Sequence, residues 1–239
     1  MSKMTDNKLK NKKPDKHPDV IEKEDFKAGN MLYPVPAVLV SLADREGKPN
    51  IITVAWTGTI CTNPAMLYIS VRPERYSHAI IKETGEFVVN LTTEELVKAV
   101  DYCGVRSGKD TDKFKDMHLT MLESKKVKAP GIAESPVNIE CRVKKIVHLG
   151  SHDMFIAEVV NVRVSKKYMN EKGTFELEKA KPIVYSHGKY LGLGKELGTF
   201  GYSVRKKRGQ NEKNKSNADR HAGGRKEHSR GTSRKDRRS

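Results

Sequence analysis

Cysteine is scarce in this chain: Cys61, Cys103 and Cys141 are the only three, odd in number and without a CxxC pair. That excludes a disulfide framework and points to a reducing, intracellular setting. Long apolar runs are missing too, none approaching the roughly 20 residues that span a bilayer. The first residues lack the apolar core of a signal peptide, so a cytoplasmic protein with no membrane span is expected. Aromatic side chains make up only 6% of the chain, with a single tryptophan, Trp56, and none follows Tyr202. The C-terminal stretch therefore offers no ring on which a nucleic-acid base could stack.

What is abundant is positive charge, unevenly spread. The formal net charge is +16, yet residues 203–239 hold fourteen Lys/Arg against four Asp/Glu. Residues 1–24 hold seven against five. Both ends are too polar to bury surface that would offset chain entropy, and disorder is expected in each. A basic tail of this kind either stays solvated or makes weak, salt-sensitive contacts with nucleic acid. If the tail were the working part, the body would be a scaffold for a nucleic-acid-binding protein. Between the ends, residues 25–202 are long enough for one domain with a buried core.

That body reads mostly as strand. "AVLVSLA" (37–43) and "IITVAW" (51–56) flank a turn cluster and suggest a hairpin. "AMLYISV" (65–71), "EFVVNL" (86–91), "VNIECRVKKIVHL" (137–149) and "DMFIAEVVNVRVS" (153–165) follow. A period of two runs through them, predicting a sheet with one buried face. Helices are expected over 78–84, between Ser77 as N-cap and Gly85 as stop, and over 92–103. No βαβ alternation is present, so the fold class is all-β with peripheral helices, a closed or nearly closed antiparallel barrel.

The densest chemistry lies in "LYISVRPERYSHAIIKETGEFVVN", residues 67–90. A strand ends in Arg72 and Arg75 just before Ser77 opens a helix. Free amides at a helix start and planar guanidinium forks both suit one phosphate group. A plain cap with solvated arginines explains the same residues and is the commoner arrangement on local grounds. Upstream, "NIITVAWTGTICTNP" (50–64) runs from a strand into a loop carrying Thr53, Thr57, Thr59, Thr62 and Trp56. It suits the lining of a flat, polar-edged ring, or a strand end plugged by Trp56.

Together these segments, with "SGKDTDKF" (107–114) and "YLGLGKELGTFGYS" (190–203), resemble the flavin reductase-like family of FMN-binding split barrels, flavoredoxins among them. The resemblance covers about residues 25–203. It implies an antiparallel Greek-key split barrel, a homodimer, and FMN near the interface. It further implies that Thr53, Val54, Ala55 and Trp56 face the isoalloxazine and ribityl chain. Ser70, Val71 and Arg72 would run along the ribityl–phosphate part, and Arg75 and Ser77 would hold the phosphate. Gly104, Ser107 and Lys109 would close the flavin from the loop after the second helix. Many relatives have two serines where this chain has Ala55–Trp56, which leaves the ring contacts more open than the phosphate contacts.

The expected chemistry is NAD(P)H-dependent reduction of flavin or ferric complexes. An FMN electron carrier without a nicotinamide site, serving an electron-transfer protein, is the alternative within the family. Hydride transfer to flavin needs orientation and stacking more than a general base, so no catalytic side chain is nominated. His148 and His152 in "HLGSH" straddle a predicted turn without a Cys or carboxylate set, and no metal site is expected. "GLGKELG" (192–198) lacks the strand-before, helix-after setting of a dinucleotide fingerprint.

Overall fold

The computed structural model describes residues 21–205. Residues 1–20 and 206–239 fall outside the described chain, and with them most of the N-terminal segment and nearly all of the basic tail. The chain divides into two compact units, one reaching Leu193 and one beginning at Gly194.

In the first unit the strands begin with β1 (Val35–Pro36), β2 (Val38–Ala43), β3 (Pro49–Val54), β4 (Thr57–Cys61), β5 (Met66–Val71) and β6 (Glu86–Asn90). They continue with β7 (Met121–Leu122), β8 (Gly131–Ile132), β9 (Val137–His148), β10 (Asp153–Val164), β11 (Ile183–Ser186) and β12 (Lys189–Gly192). Three helices, α1 (Tyr76–Thr84), α2 (Val97–Val105) and α3 (Lys113–Asp116), lie between them. Of the second unit, the described part ends in a 3-10 turn at Tyr202–Val204, reached through Gly201 at a φ of 79°.

Seven strands form one antiparallel sheet in the order β3-β2-β6-β9-β10-β5-β4. Its two edges, β3 and β4, are consecutive in the chain and separated only by Ala55 and Trp56. Two residues cannot bridge the width of a flat seven-stranded sheet, since neighbouring strands lie about 4.8 Å apart. The sheet must therefore curl until its edges meet, which makes a barrel split along the β3–β4 seam. Register shifts in the β9–β10 ladder, between Ile156 and Ala157 and between Val159 and Asn161, add the local twist that such curling needs. The expected split barrel is the observed one.

Two expectations need correction. The hydroxyl-rich segment after Trp56 is not a loop: it is edge strand β4, paired with β5. Threonine and glycine hid it, because an edge strand needs little apolar patterning. The one-buried-face rule also fails for β2, which is buried throughout. Val38, Val40 and Leu42 fill the barrel core with Phe87 and Phe155. Leu39 lies on the opposite face, packed with Ile51, Val100 and Phe114 under α2 and α3. A strand covered on both faces loses the polar half of its alternation.

Cys61, Cys103 and Cys141 are all free thiols. Among the described residues no helix is long and apolar enough to cross a membrane.

One buried carboxylate organises the loop before β8. Glu140, on β9, is 1% exposed and accepts from the Lys125 and Lys126 amides and from Asn161 Nδ2. Burial alone would raise its pKa, but those donors outweigh it and hold the group below its ordinary value. Its stabilising effect is thus complete above the unfolded pKa and is lost as pH falls through the lower folded one. Glu140→Gln is expected to cost about 1 kcal/mol in urea unfolding at pH 7. It should also narrow the stability difference between pH 7 and pH 3; an unchanged difference would remove Glu140 from the acid response.

Candidate functional site

The β5–α1 junction is built as an open anion site. Helix α1 starts at Tyr76, with Arg75 in extended conformation as its N-cap. No side chain caps it and no acidic residue lies in its first turn. The Tyr76 and Ser77 amides are therefore left for a ligand or water at the positive end of the helix dipole, while the His78 amide donates to the Arg75 carbonyl. Ser77 is not the cap expected from the sequence. It sits inside the first turn, 3% exposed, where its Oγ accepts a 2.9 Å hydrogen bond from Asn50 Nδ2 on β3. The helix ends as expected at Gly85, in the left-handed region with a φ of 68°.

In front of these amides lies a pocket of about 380 Å³. Arg72, Arg75, Arg106 and Lys113 line it with Ser77, Ser107 and Gly108, and among the described residues Glu74 is the only carboxylate on its wall. Glu74 pairs with Arg72 at 3.2 Å, whereas Arg75 has no ion-pair partner among the described residues. The Lys113 ammonium is buried and donates to the carbonyls of Ile51 at 2.6 Å and Cys103 at 2.9 Å. Burial lowers its pKa to about 8, and Arg75 pushes the same way. The Cys103 thiol beside it is raised to about 11 by burial.

A second pocket, of about 250 Å³, shares Ile52, Arg72 and Arg75 with the first. Its wall holds Thr53, Val54, Ala55, Trp56, Ser70 and Val71, with Tyr33, Tyr185 and His152. Tyr33 stands between rings, its centroid 6.2 Å from Trp56 and 6.1 Å from Tyr185. Trp56 is half-buried beside this space and does not plug the core. The side chains of Val54 and Val71 belong to the barrel core. The Thr53 hydroxyl donates to the Val100 carbonyl at 2.5 Å.

A wider cleft of about 850 Å³ continues past Arg72, Ser70, Trp56 and His152 to Met31, Leu32 and Leu149. Burial lowers the His152 pKa, and the Arg72 charge adds to the effect. Its neighbour Asp153 faces the other way. Asp153 lies 2.7 Å from His148 and 2.8 Å from His78, and these hydrogen bonds lower its pKa.

Ten of the twelve residues expected from the sequence thus line this groove. Gly104 backs onto Thr53, where a Cβ would meet the Thr53 Cβ at 3.3 Å. Lys109 is exposed, its amide 3.2 Å from Ser107 Oγ. Neither lines the pockets. Sequence reading missed Asn50, Arg106, Gly108, Lys113, Tyr33, Tyr185 and His152. For Lys113 a signal existed, since it stands in "SGKDTDKF" directly before core residue Phe114.

Fold and groove together define a split-barrel protein with a cationic pocket joined to an aromatic one. The flavin reductase like domain matches residues 30–194, and the chain belongs to the flavin reductase-like family. Flavoredoxin of Desulfovibrio vulgaris (Miyazaki F) is similar, with a TM-score of 0.72 and 29% identity over 77% of this chain and 100% of that one. Nitrilotriacetate monooxygenase component B from Bacillus cereus follows at a TM-score of 0.65 and 25% identity, over 71% of this chain and 89% of its own. An uncharacterized protein of Archaeoglobus fulgidus is 41% identical over 131 residues, 55% of this chain and 73% of that protein.

Proposed function

We propose that the chain binds FMN along the seam and uses it to carry reducing equivalents from NADH or NADPH to a flavin or ferric acceptor. The observation that carries this reading is the shared wall: Ile52, Arg72 and Arg75 belong to both the cationic and the aromatic pocket. A ligand with an anionic end and a flat polar-edged ring suits that pair of spaces. When bound, FMN supplies the hydride and electron chemistry itself.

The protein's part is to bind and orient. Arg72, Arg75, Ser77 and Ser107 neutralise and hold the phosphate. The backbone at Thr53 and Ala55, at the end of edge strand β3, meets the polar side of the ring, and Val54 between them anchors the strand in the barrel core. Ser70 and Val71 flank the ribityl chain, and Trp56 with Tyr33 keeps water from the ring. Gly104 sets the distance between α2 and Thr53, and Lys109 adds charge near the mouth. His152 stands where the aromatic pocket opens into the wider cleft, a position suited to orienting the electron donor.

The working unit is a homodimer. Met31 and Leu32 are 64% and 87% exposed on the rim of the cleft, apolar surface that a second copy would cover. Similarity to a flavoredoxin supports a second reading, an FMN electron carrier fed by a protein partner.

Visible absorption of the purified protein, recorded anaerobically with FMN before and after NADH or NADPH, separates the two. Bleaching by either nucleotide is expected. A flavin band that persists with both yet bleaches with dithionite would favour the carrier, and no flavin uptake at all would end both readings.

A further inference from the structure

Lys113 has no carboxylate partner among the described residues, although it is 4% exposed. Its two hydrogen bonds go to neutral carbonyls, so one ammonium hydrogen has no protein acceptor among the described residues. Buried ammonium groups are costly unless paired. The residue lines the cationic pocket together with Gly108 and with Arg75, Tyr76 and Ser77 of the uncapped start of α1. We propose that Lys113 is a phosphate ligand at the floor of this pocket, and that its proton and the phosphate of the cofactor bind together. The inference rests on the FMN reading above and adds a residue and a proton to it.

The charged and titratable surroundings of Lys113 leave it as the group that responds near neutral to alkaline pH. From α2 it faces Cys103, whose thiol stays protonated until about 11. From the β5–α1 turn come Arg72, Arg75 and Glu74, and after α2 comes Arg106. Glu74 is already held below its ordinary value by hydrogen bonds from its own backbone amide and Arg72. On its own short helix, Asp112 accepts from the Lys115 amide and Asp116 from the Tyr102 hydroxyl. Without an anion the ammonium loses its proton near pH 8. A phosphate in contact would raise that value, so the phosphate's contribution to affinity is full below about pH 8 and fades above it.

The test measures Kd for FMN and for riboflavin with the full chain between pH 7.5 and 9.5. The phosphate is a dianion throughout, its second pKa being about 6, and ring titration cancels in the ratio. The preference for FMN over riboflavin should fall by about tenfold across the range. Calorimetry at pH 8.5 in buffers of different protonation enthalpy should show proton uptake with FMN and none with riboflavin. Lys113→Arg, which stays charged, should keep the preference and abolish both its pH dependence and the uptake. Lys113→Met should show the alkaline preference already at pH 7.5.

A wild-type preference that is flat with pH, or uptake that survives in Lys113→Arg, overturns the role of Lys113 and leaves the FMN reading standing. Equal affinity for FMN and riboflavin at every pH overturns the phosphate reading itself, and this inference with it.

Discussion

Arg75→Ala is expected to weaken FMN binding by about ten- to a hundredfold while changing riboflavin binding by less than about threefold. The contrast arises because Arg75 gives the fold only its backbone. Its amide donates to the Arg72 carbonyl and its own carbonyl accepts from the His78 amide, at 3.0 and 2.9 Å. Alanine keeps both. The side chain makes no capping hydrogen bond and is exposed, so its loss should leave thermal stability within about 0.5 kcal/mol. What disappears is a guanidinium on the wall of the cationic pocket, and a charge-assisted hydrogen bond to phosphate with it. Ser77→Ala is the less clean experiment, because it also strips the buried Asn50 amide of its acceptor. Fluorescence quenching titrations with both flavins decide the matter. Equal losses for FMN and riboflavin would move the phosphate away from α1.

The junction was readable because its parts are consecutive. A strand, two arginines, a serine and a glycine-stopped helix fall within residues 67–90, and each follows a local rule. Much of the barrel was readable for the same reason, since the hairpins β2–β3 and β9–β10 join neighbours in sequence. What escaped is non-local. Asn50 and Ser77 meet across 27 positions, and no period links them. Lys109 and Lys113 share one short stretch, but only contact with the Ile51 carbonyl shows which of them turns inward. Ser77 as a cap was the natural local reading, and the structure places it two residues past the cap, where Asn50 on β3 gives it a buried partner. His152 looked like a turn residue and is also one wall of a pocket.

The second large effect follows from that same non-local contact. Gly108→Ala is expected to destabilise the protein by about 2–3 kcal/mol and to weaken FMN binding by about tenfold. A Cβ at Gly108 would lie 1.9 Å from Asn50 Oδ1, 2.5 Å from its Cγ and 2.9 Å from its Nδ2. The whole amide group would have to leave. It cannot do so cheaply, because Asn50 is 4% exposed, sits on β3 opposite Leu42 and donates to Ser77. Displacing it frees the Ser77 hydroxyl and disturbs the strand that carries Ile51, the acceptor of Lys113. Three walls of the cationic pocket therefore depend on the missing side chain at Gly108. A double-mutant cycle isolates the cause. Asn50→Ala alone should cost about 1–2 kcal/mol through the lost hydrogen bond. Adding Gly108→Ala to it should cost little more, because the alanine methyl then occupies the space the amide left. The coupling should reach at least about 1 kcal/mol, well beyond the additivity expected of independent sites. Additive costs in urea unfolding would mean that Gly108 is required for its backbone rather than for its closeness to Asn50. The loop after α2 would then be positioned by its own turn, with Ser107 and Lys113 reaching the pocket independently of β3.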